Sequence, residues 1–298
     1  MSRIRIGTRG SALALWQAEH VGARLESLGH EVALRVITTT GDRLQDRRLE
    51  SVGGKGAFLK EIEEALVARE VDLAVHSLKD VPTALPAGLT LCAFLERADP
   101  RDALVSSGPR LAELRAGASV ATTSLRRRAL VAALRPDIAL QDLRGNVDTR
   151  LRRLREGHFD AILLAMAGLT RLGRADEVTE ALDPRRFVPA PGQGAIALEC
   201  REDDRVVREA VAPLHHPATD RAVSAERAFL AALGGGCNVP LGAHAMASGG
   251  GLELVAFVAT PDGRSLLRAE RSGAEPDALG RGLADELLAR GARSLIGG

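Results

Sequence analysis

The chain of 298 residues reads as an α/β protein that ends in a small α+β domain. Two observations predict this. Over the first two-thirds, short β-rich runs alternate with helical patterns, the βαβ signature of domains with largely parallel sheets. Past "LHHPATD" the order changes to one helix, three β-rich runs and a closing helix, which predicts an antiparallel meander packed by helices.

The elements follow in order. "IRIGT" (4–8) predicts a strand. "SALALWQAEHVGARLESL" (11–28) predicts a helix with Ser11 as N-cap and Gly29 as stop. A serine hydroxyl accepts a free N–H of the first turn, and glycine tolerates the left-handed turn that ends a helix. "EVALRVITT" (31–39) predicts a strand, "AFLKEIEEALVAREV" a helix and "DLAVHS" (72–77) a buried strand. After "ERADPRD" (96–102) the alternation restarts with "SVATT", the helix "SLRRRALVAALR", "IALQDL", the helix "NVDTRLRRLREG" and "FDAILLA". "FVPAPGQG" (187–194), with two prolines and two glycines, breaks the pattern. The helix "ATDRAVSAERAFLAAL" leads into "GGGCNVPLG". The meander "LGAHAMA", "LELVAFVA", "RSLLRAERSG" and the helix "DALGRGLADELLARGA" complete the chain.

Composition narrows the function classes. Hydrophobic residues make up 45%, against disorder. No run approaches the ~20 apolar residues of a membrane span. "MSRIRIGTRGS" turns polar within a few residues and lacks the apolar core of a secretory signal. Cys92, Cys200 and Cys237 are odd in number and far apart, which argues against a disulfide framework and for a reducing cytosol. They form no zinc pattern. Net charge is +1, there is no Tyr and one Trp, and no DNA-reading motif occurs. Nucleic acid is therefore a poor partner. Of the 40 basic residues only Lys55, Lys60 and Lys79 are lysines, a bias we read as codon preference.

Three places share one design: a strand end, small hydroxyl or glycine residues, an arginine, and a helix start. They are "GTRGS" (7–11), "ATTSLRR" (121–127) and "LRGNVDTR" (143–150). Helix N-termini present free N–H groups and favour anions, and arginine forks match carboxylates. Each place alone is ordinary capping beside a solvated arginine; three together predict a ligand with several anionic groups. Residues 126–155 hold nine arginines against three aspartates. Arg128, Arg135 and Arg152 read as solvated, whereas Arg126, Arg127, Arg144 and Arg150 lie near helix starts at the C-terminal edge of a sheet, where open α/β sheets bind ligands. "AVHSLKDVP" (74–82) delivers Ser77, Lys79 and Asp80 at a strand end. From spacing alone this is either a proton-handling pair or a surface ion pair. His76 points the other way and reads as a core residue. "SVGGKGAF" (51–58) is no Walker A loop, because no GK[ST] follows a GxxxxG frame. Cys237, behind three glycines, reads as a presented thiol and not a packed one.

Eight ordered blocks, "GTRGSALALWQ", "VGGKGAFLKE", "DLAVHSLKDVP", "ATTSLRR", "LRGNVDTRL", "LAMAGLTRLG", "PAPGQGA" and "GGGCNVPLG", closely resemble those of the porphobilinogen deaminase (hydroxymethylbilane synthase) family over nearly the whole chain. The resemblance implies a transferase with a dipyrromethane cofactor held by a thioether on Cys237. It implies stepwise deaminating addition of four porphobilinogen units to that primer, and hydrolytic release of hydroxymethylbilane. Asp80 matches the catalytic aspartate, which binds pyrrole N–H, assists loss of ammonia and stabilises a positive azafulvene. Ser77, Lys79, Asp42, Thr122, Ser124, Arg126, Arg127, Gly145 and Arg150 match cofactor-contacting positions. Arg9, Ser11, Arg144, Arg171 and Gln193 match positions for incoming substrate or the growing chain. Lys55 and Phe58 belong to the same mobile-loop region of the family as Asp42. Ala12, where proline is common, and Thr123, where serine is usual, depart from the pattern without removing a functional group.

The implied fold has two lobes like those of periplasmic binding proteins, with a doubly crossing chain: domain 1 at 1–96 and 192–213, domain 2 at 97–191 and an α+β domain 3 at 214–298 that carries Cys237. The expected setting is a cytoplasmic monomer without nucleic-acid or membrane partners and without a metal.

Overall fold

A computed structural model describes residues 2–40, 59–234 and 239–296. Asp42, Lys55, Phe58 and Cys237 lie outside the described residues. The fold is mixed α/β in two compact units: residues 1–98 with 195–220, and residues 99–194 with 221–298.

The first unit opens with β1 (Arg3–Thr8), α1 (Ala12–Ser27) and β2 (Glu31–Val36). Ser11 caps α1 by accepting the Ala14 N–H, and Gly29, at φ 87°, supplies the left-handed turn after it. After α2 (Lys60–Val67) come β3 (Leu73–Ser77) and β4 (Leu89–Phe94). The returning chain adds β10 (Ile196–Arg201) and α6 (Arg205–Val211). The sheet order is β2-β1-β3-β10-β4. β1 runs parallel to β2 and β3, as the alternation predicts, whereas β10 lies antiparallel to both β3 and β4. α1 buries Ala18, Val21 and Leu25 at helical spacing against Ile4, Ile6, Leu73 and Val75. Ile62 and Leu66 of α2 pack with Val71, Ala74 and Leu89.

The second unit has the sheet order β7-β6-β8-β5-β9. Its strands are β5 (Asp102–Ser106), β6 (Ser119–Ala121), β7 (Ala139–Gln141), β8 (Ala161–Ala165) and β9 (Glu180–Ala181). β6 is parallel to β7 and β8, and β5 is antiparallel to β8 and β9. The helices are α3 (Leu125–Leu134), α4 (Val147–Arg155) and α5 (Met166–Arg171). α7 (Pro217–Ala232) precedes an antiparallel sheet of β11 (Leu241–Ser248), β12 (Gly251–Ala259) and β13 (Leu266–Gly273), closed by α8 (Pro276–Ala289) and α9 (Ala292–Ile296). β12 explains why "LELVAFVA" is apolar on both phases. Leu252, Leu254, Ala256 and Val258 face a core with Phe229 and Leu283, while Val255, Phe257 and Ala259 face Leu104, Val120 and Phe187. Alternate residues of a strand point to opposite faces, so a strand buried on both must be apolar throughout.

The strands β4, β5, β9 and β10 carry no signal in the alternation. They do not follow the strand–helix–strand rhythm, and β10 is buried at all six positions, so no polar face marks it. The two five-stranded sheets are therefore mixed, with a parallel trio along one side of each and two strands in antiparallel pairing completing the other.

Candidate active site

The sequence candidates fall into two groups, one in each unit. In the first unit, β1 and β3 are parallel neighbours, so their C-terminal ends open on one edge. The turn after β1 carries Arg9 and Ser11, and a 3-10 turn, Leu78–Asp80, follows β3. Arg9, Ser11, Gln17, His76, Ser77 and Asp80 line a cavity of about 100 Å³. The Ser11 hydroxyl accepts from Ala14 N at 3.4 Å, so its oxygen already caps α1. Gln17 is buried, and its amide meets Ser77 Oγ at 2.9 Å, which fixes the serine at the strand end. Among the described residues Asp80 makes no hydrogen bond or ion pair, and its side chain faces the cavity half-exposed. His76 is buried with Nε2 2.8 Å from Glu199 Oε2, in keeping with its reading as a satisfied core residue, although its ring also forms part of the cavity wall.

The second group is built differently. Arg126 and Arg127, at the start of α3, are buried and converge on Asp102, the first residue of β5. Arg126 donates from Nη1 and Nη2 to the Asp102 carboxylate at 2.6 and 3.0 Å, and from Nη1 to the Val188 carbonyl at 2.8 Å. Arg127 donates to Asp102 from Nε at 2.9 Å and lies 2.7 Å from it through Nη2; its Nη1 donates to the Leu163 carbonyl at 2.9 Å. Gln193 Nε2 donates to Asp102 at 3.0 Å and to the Pro100 carbonyl at 2.8 Å. Burial works to raise the Asp102 carboxyl, but the charges of Arg126 and Arg127 and the bonds from Arg126 and Gln193 hold it well below the usual carboxylate range. Burial lowers the Arg127 guanidinium, and the charge of Asp102 partly offsets this.

Arg150, on α4, has a different surrounding. Its Nε donates to the Gly145 carbonyl at 2.8 Å, and no carboxylate pairs with it among the described residues. Burial, with the charge of Arg127 added, pushes its guanidinium down to about 10. It stays cationic at neutral pH, so it is a half-buried charge without a carboxylate partner among the described residues. Gly145 has φ 107°, and a Cβ there would lie 2.8 Å from Thr149 Cγ2; both facts require glycine where the chain enters α4. Asn146 caps α4 by accepting Thr149 N at 2.9 Å, and Ser124 caps α3 by accepting Arg127 N at 3.4 Å. Thr122 Oγ1 accepts Ser124 N at 3.2 Å and is buried. Arg144 precedes the α4 cap and is half-buried. Arg171, the last residue of α5, donates from Nη2 to the Gly194 carbonyl at 2.7 Å, and burial pushes it down to about 10. Arg135, read as solvated, instead holds the carbonyls of Leu111 and Leu114 at 2.7 Å.

Sequence reasoning missed Asp102, Gln17 and Glu226. Asp102 sits in "DPRD", which marks only a break between patterns. The signal that finds it is stoichiometric: two arginines at one buried helix start require an acid. Glu226 is fully buried on α7. It accepts Gly192 N at 2.7 Å and Ala245 N at 2.8 Å, tying the 187–194 breaker to β11. A larger cavity of about 850 Å³ in the second unit is lined by Ser106, Arg115, Ser119, Arg155, Asp160 and Glu177, among others, and by no sequence candidate. There Arg115 pairs with Asp160 and Arg155 with Glu177, so these charges are already matched.

Among the described residues no group of His, Cys, Asp or Glu is arranged to hold a metal ion, and no helix is long and apolar enough to cross a membrane.

Comparison with known proteins gives two family models. One, described as "Porphobilinogen deaminase, dipyromethane cofactor binding domain", matches residues 4–209. The other, "Porphobilinogen deaminase, C-terminal domain", matches residues 221–289. The porphobilinogen deaminase of Syntrophobacter fumaroxidans is 54% identical over 298 residues, covering 98% of this chain and 96% of that protein. That of Chromobacterium violaceum is 50% identical over 301 residues, covering 99% and 97%. Among solved structures, an ABC transporter periplasmic substrate-binding protein from Coxiella burnetii is similar at 18% identity with a TM-score of 0.44, covering 72% of this chain and 93% of that one.

Proposed function

The chain belongs to the porphobilinogen deaminase family, transferases of tetrapyrrole biosynthesis, and from that premise we propose how its residues divide the work. Asp80 is the catalytic carboxylate. The observation that carries this is its place on the cavity wall beside Arg9 and Ser11, with no protein partner among the described residues. A carboxylate so placed accepts a pyrrole N–H from porphobilinogen, handles the proton that ammonia needs to leave, and opposes the positive charge that then develops. Arg9 meets the substrate's acetate or propionate at the same cavity, with Ser11 fixing the start of α1 behind it.

The family's dipyrromethane domain matches most of the chain, and the residues present fit such a group. Arg150 is a half-buried cation with no carboxylate partner among the described residues, the condition that favours an acidic ligand. We propose that Cys237 holds the dipyrromethane by a thioether and that Arg150 takes one of its carboxylates. When bound, the dipyrromethane supplies the pyrrole carbon to which the first of four porphobilinogen units is joined. Ser77, Lys79, Asp42, Thr122, Ser124 and Gly145 complete this set. Arg126 and Arg127 contribute through the positive field at the start of α3, since their nitrogens are engaged by Asp102 and main-chain carbonyls. Arg144 and Arg171 serve the incoming unit and the growing chain, and Gln193, whose amide donates to Pro100 and Asp102, acts on them only by holding that scaffold.

We keep the three-domain division, 1–96 with 192–213, 97–191 and 214–298, as part of the proposal. It is supported by the separate core that α7, α8 and the antiparallel sheet form around Phe229 and Leu254. A cytoplasmic monomer is the proposed working form.

The test is intact-protein mass with an activity assay. Purified protein carries a covalent adduct on Cys237 and releases ammonia from porphobilinogen. Cys237→Ser folds, matches its bare sequence mass and is essentially inactive. A wild-type mass equal to the bare sequence, or normal turnover by Cys237→Ser, refutes the assignment. A non-catalytic anion-binding protein would show the bare mass in both.

A further inference from the structure

The first unit holds a second thiol chemistry that the reaction does not use. Cys92 lies on β4 and Cys200 on β10, and these strands are antiparallel neighbours. Leu198 pairs with Ala93 and Glu199 with Leu91, so the register slips by one at this step and leaves Cys92 with no residue opposite. A bulge of this kind re-aims the extra side chain. Here it turns Cys92 onto the face that carries Leu198 and Cys200, where both cysteines pack against the same core. Cys92 Sγ donates to the Leu198 carbonyl at 3.3 Å, two residues along β10 from Cys200. Cys200 is fully buried, whereas Cys92 is partly exposed, so a small reagent meets the pair from the Cys92 side.

We propose that Cys92 and Cys200 are an oxidation site, closing to a reversible intramolecular disulfide when the enzyme meets hydrogen peroxide. The two S–H bonds and the peroxide O–O bond break, and one S–S bond forms. The two electrons pass from sulfur to the peroxide oxygens, and the two thiol protons leave on them as two waters. The first half-reaction requires a thiolate and the second requires a neighbouring thiol to resolve the sulfenic acid. The shared face of the neighbouring strands supplies the resolving thiol, and the lowered Cys200 thiol supplies the thiolate. The neighbouring Cys92 thiol, with Arg208 and Arg201, lowers the Cys200 thiol, and the Cys200 thiol, with burial, raises Cys92. Neighbouring strands stand at separations from which disulfides close. The link ties the returning strand β10 to β4, on the face packed by α1 and α6, opposite the face that carries His76 and Glu199.

The experiment treats the folded holoenzyme with a small excess of hydrogen peroxide, blocks remaining thiols with iodoacetamide, and maps the peptides by mass. The expected product is one peptide pair joined through Cys92 and Cys200, lighter by two hydrogens and separated by dithiothreitol, with neither cysteine alkylated. Cys92→Ser and Cys200→Ser each abolish the link. Oxidation of Cys92 alone to sulfinic acid with Cys200 still alkylatable after unfolding, two unreacted thiols, or a link only between chains would overturn the proposal. Peptide mapping reads Cys237 separately, so the outcome is independent of the cofactor assignment.

Discussion

The two groups of candidate residues look alike in sequence and differ in the fold. In the first unit, Asp80 stands at a cavity with no partner among the described residues. In the second, Arg126, Arg127 and Gln193 are buried and converge on Asp102. The first arrangement leaves a charge available for a ligand, while the second uses three candidate side chains to build the scaffold. Arg150 belongs with the first kind although it lies in the second unit. Chemical type and helix-start position do not separate these cases; the presence of a protein counter-charge does.

This contrast breaks most sharply at Asp80. Asp80→Asn is expected to lower the rate of ammonia release by about 10²–10⁴ and to leave the denaturation midpoint unchanged, with Asp80→Glu retaining more activity. Single-turnover assays and urea titrations on the same preparations check both halves. Asparagine turning over like wild type would remove Asp80 from catalysis.

Asp102→Ala should behave in the opposite sense. It leaves two buried guanidiniums uncompensated, a class of change that costs about 3–5 kcal/mol. Arg126→Leu should also lower stability, because it strips Asp102 of its best-placed partner. The pH dependence follows from the depressed carboxyl. The stabilisation is fully present above the ordinary carboxylate pKa of about 3.9 and is lost as pH falls from there toward the lower folded value. Urea titrations of wild type and Asp102→Asn between neutral and acid pH should therefore converge only at the acid end. A constant gap would mean that the cluster does not hold its charge as the geometry requires.

Arg150→Leu sharpens the comparison within one unit. Removing a charge-assisted partner of a ligand carboxylate weakens binding by about 1.5–3 kcal/mol, while stability should move by no more than about 0.5 kcal/mol. The readout is the fraction of purified protein carrying the adduct mass. A large stability loss with a full adduct would place Arg150 with the scaffold. The smallest effect is expected at Ser11→Ala, which removes the cap of α1 and costs about 1 kcal/mol, measured by thermal unfolding.

Much of the fold was legible because it rests on local periodicity. The α1 boundaries, with Ser11 and Gly29 at its ends, follow from capping chemistry that the sequence spells. The antiparallel meander and its closing helix were likewise readable. β4, β5, β9 and β10 were not, because their partners lie far along the chain; β10 pairs with strands about a hundred residues earlier and shows no polar face. The site was legible as residue types. Its candidates were marked by strand ends and helix starts, but Asp102 was invisible, since an acid matters there only through arginines some twenty-four residues away.

The sequence by itself therefore determined the helices, the parallel strands and the terminal meander, the family and the identity of the groups that chemistry needs, because capping, periodicity and ordered motifs are local properties. Only the tertiary structure decided which arginines are committed to Asp102 and which remain for an anion, that Gln17 holds Ser77, and that a bulge sets Cys92 on the face that carries Cys200. Those outcomes depend on what is buried beside what, and burial sets whether a charge must find its partner inside the protein or in its ligand.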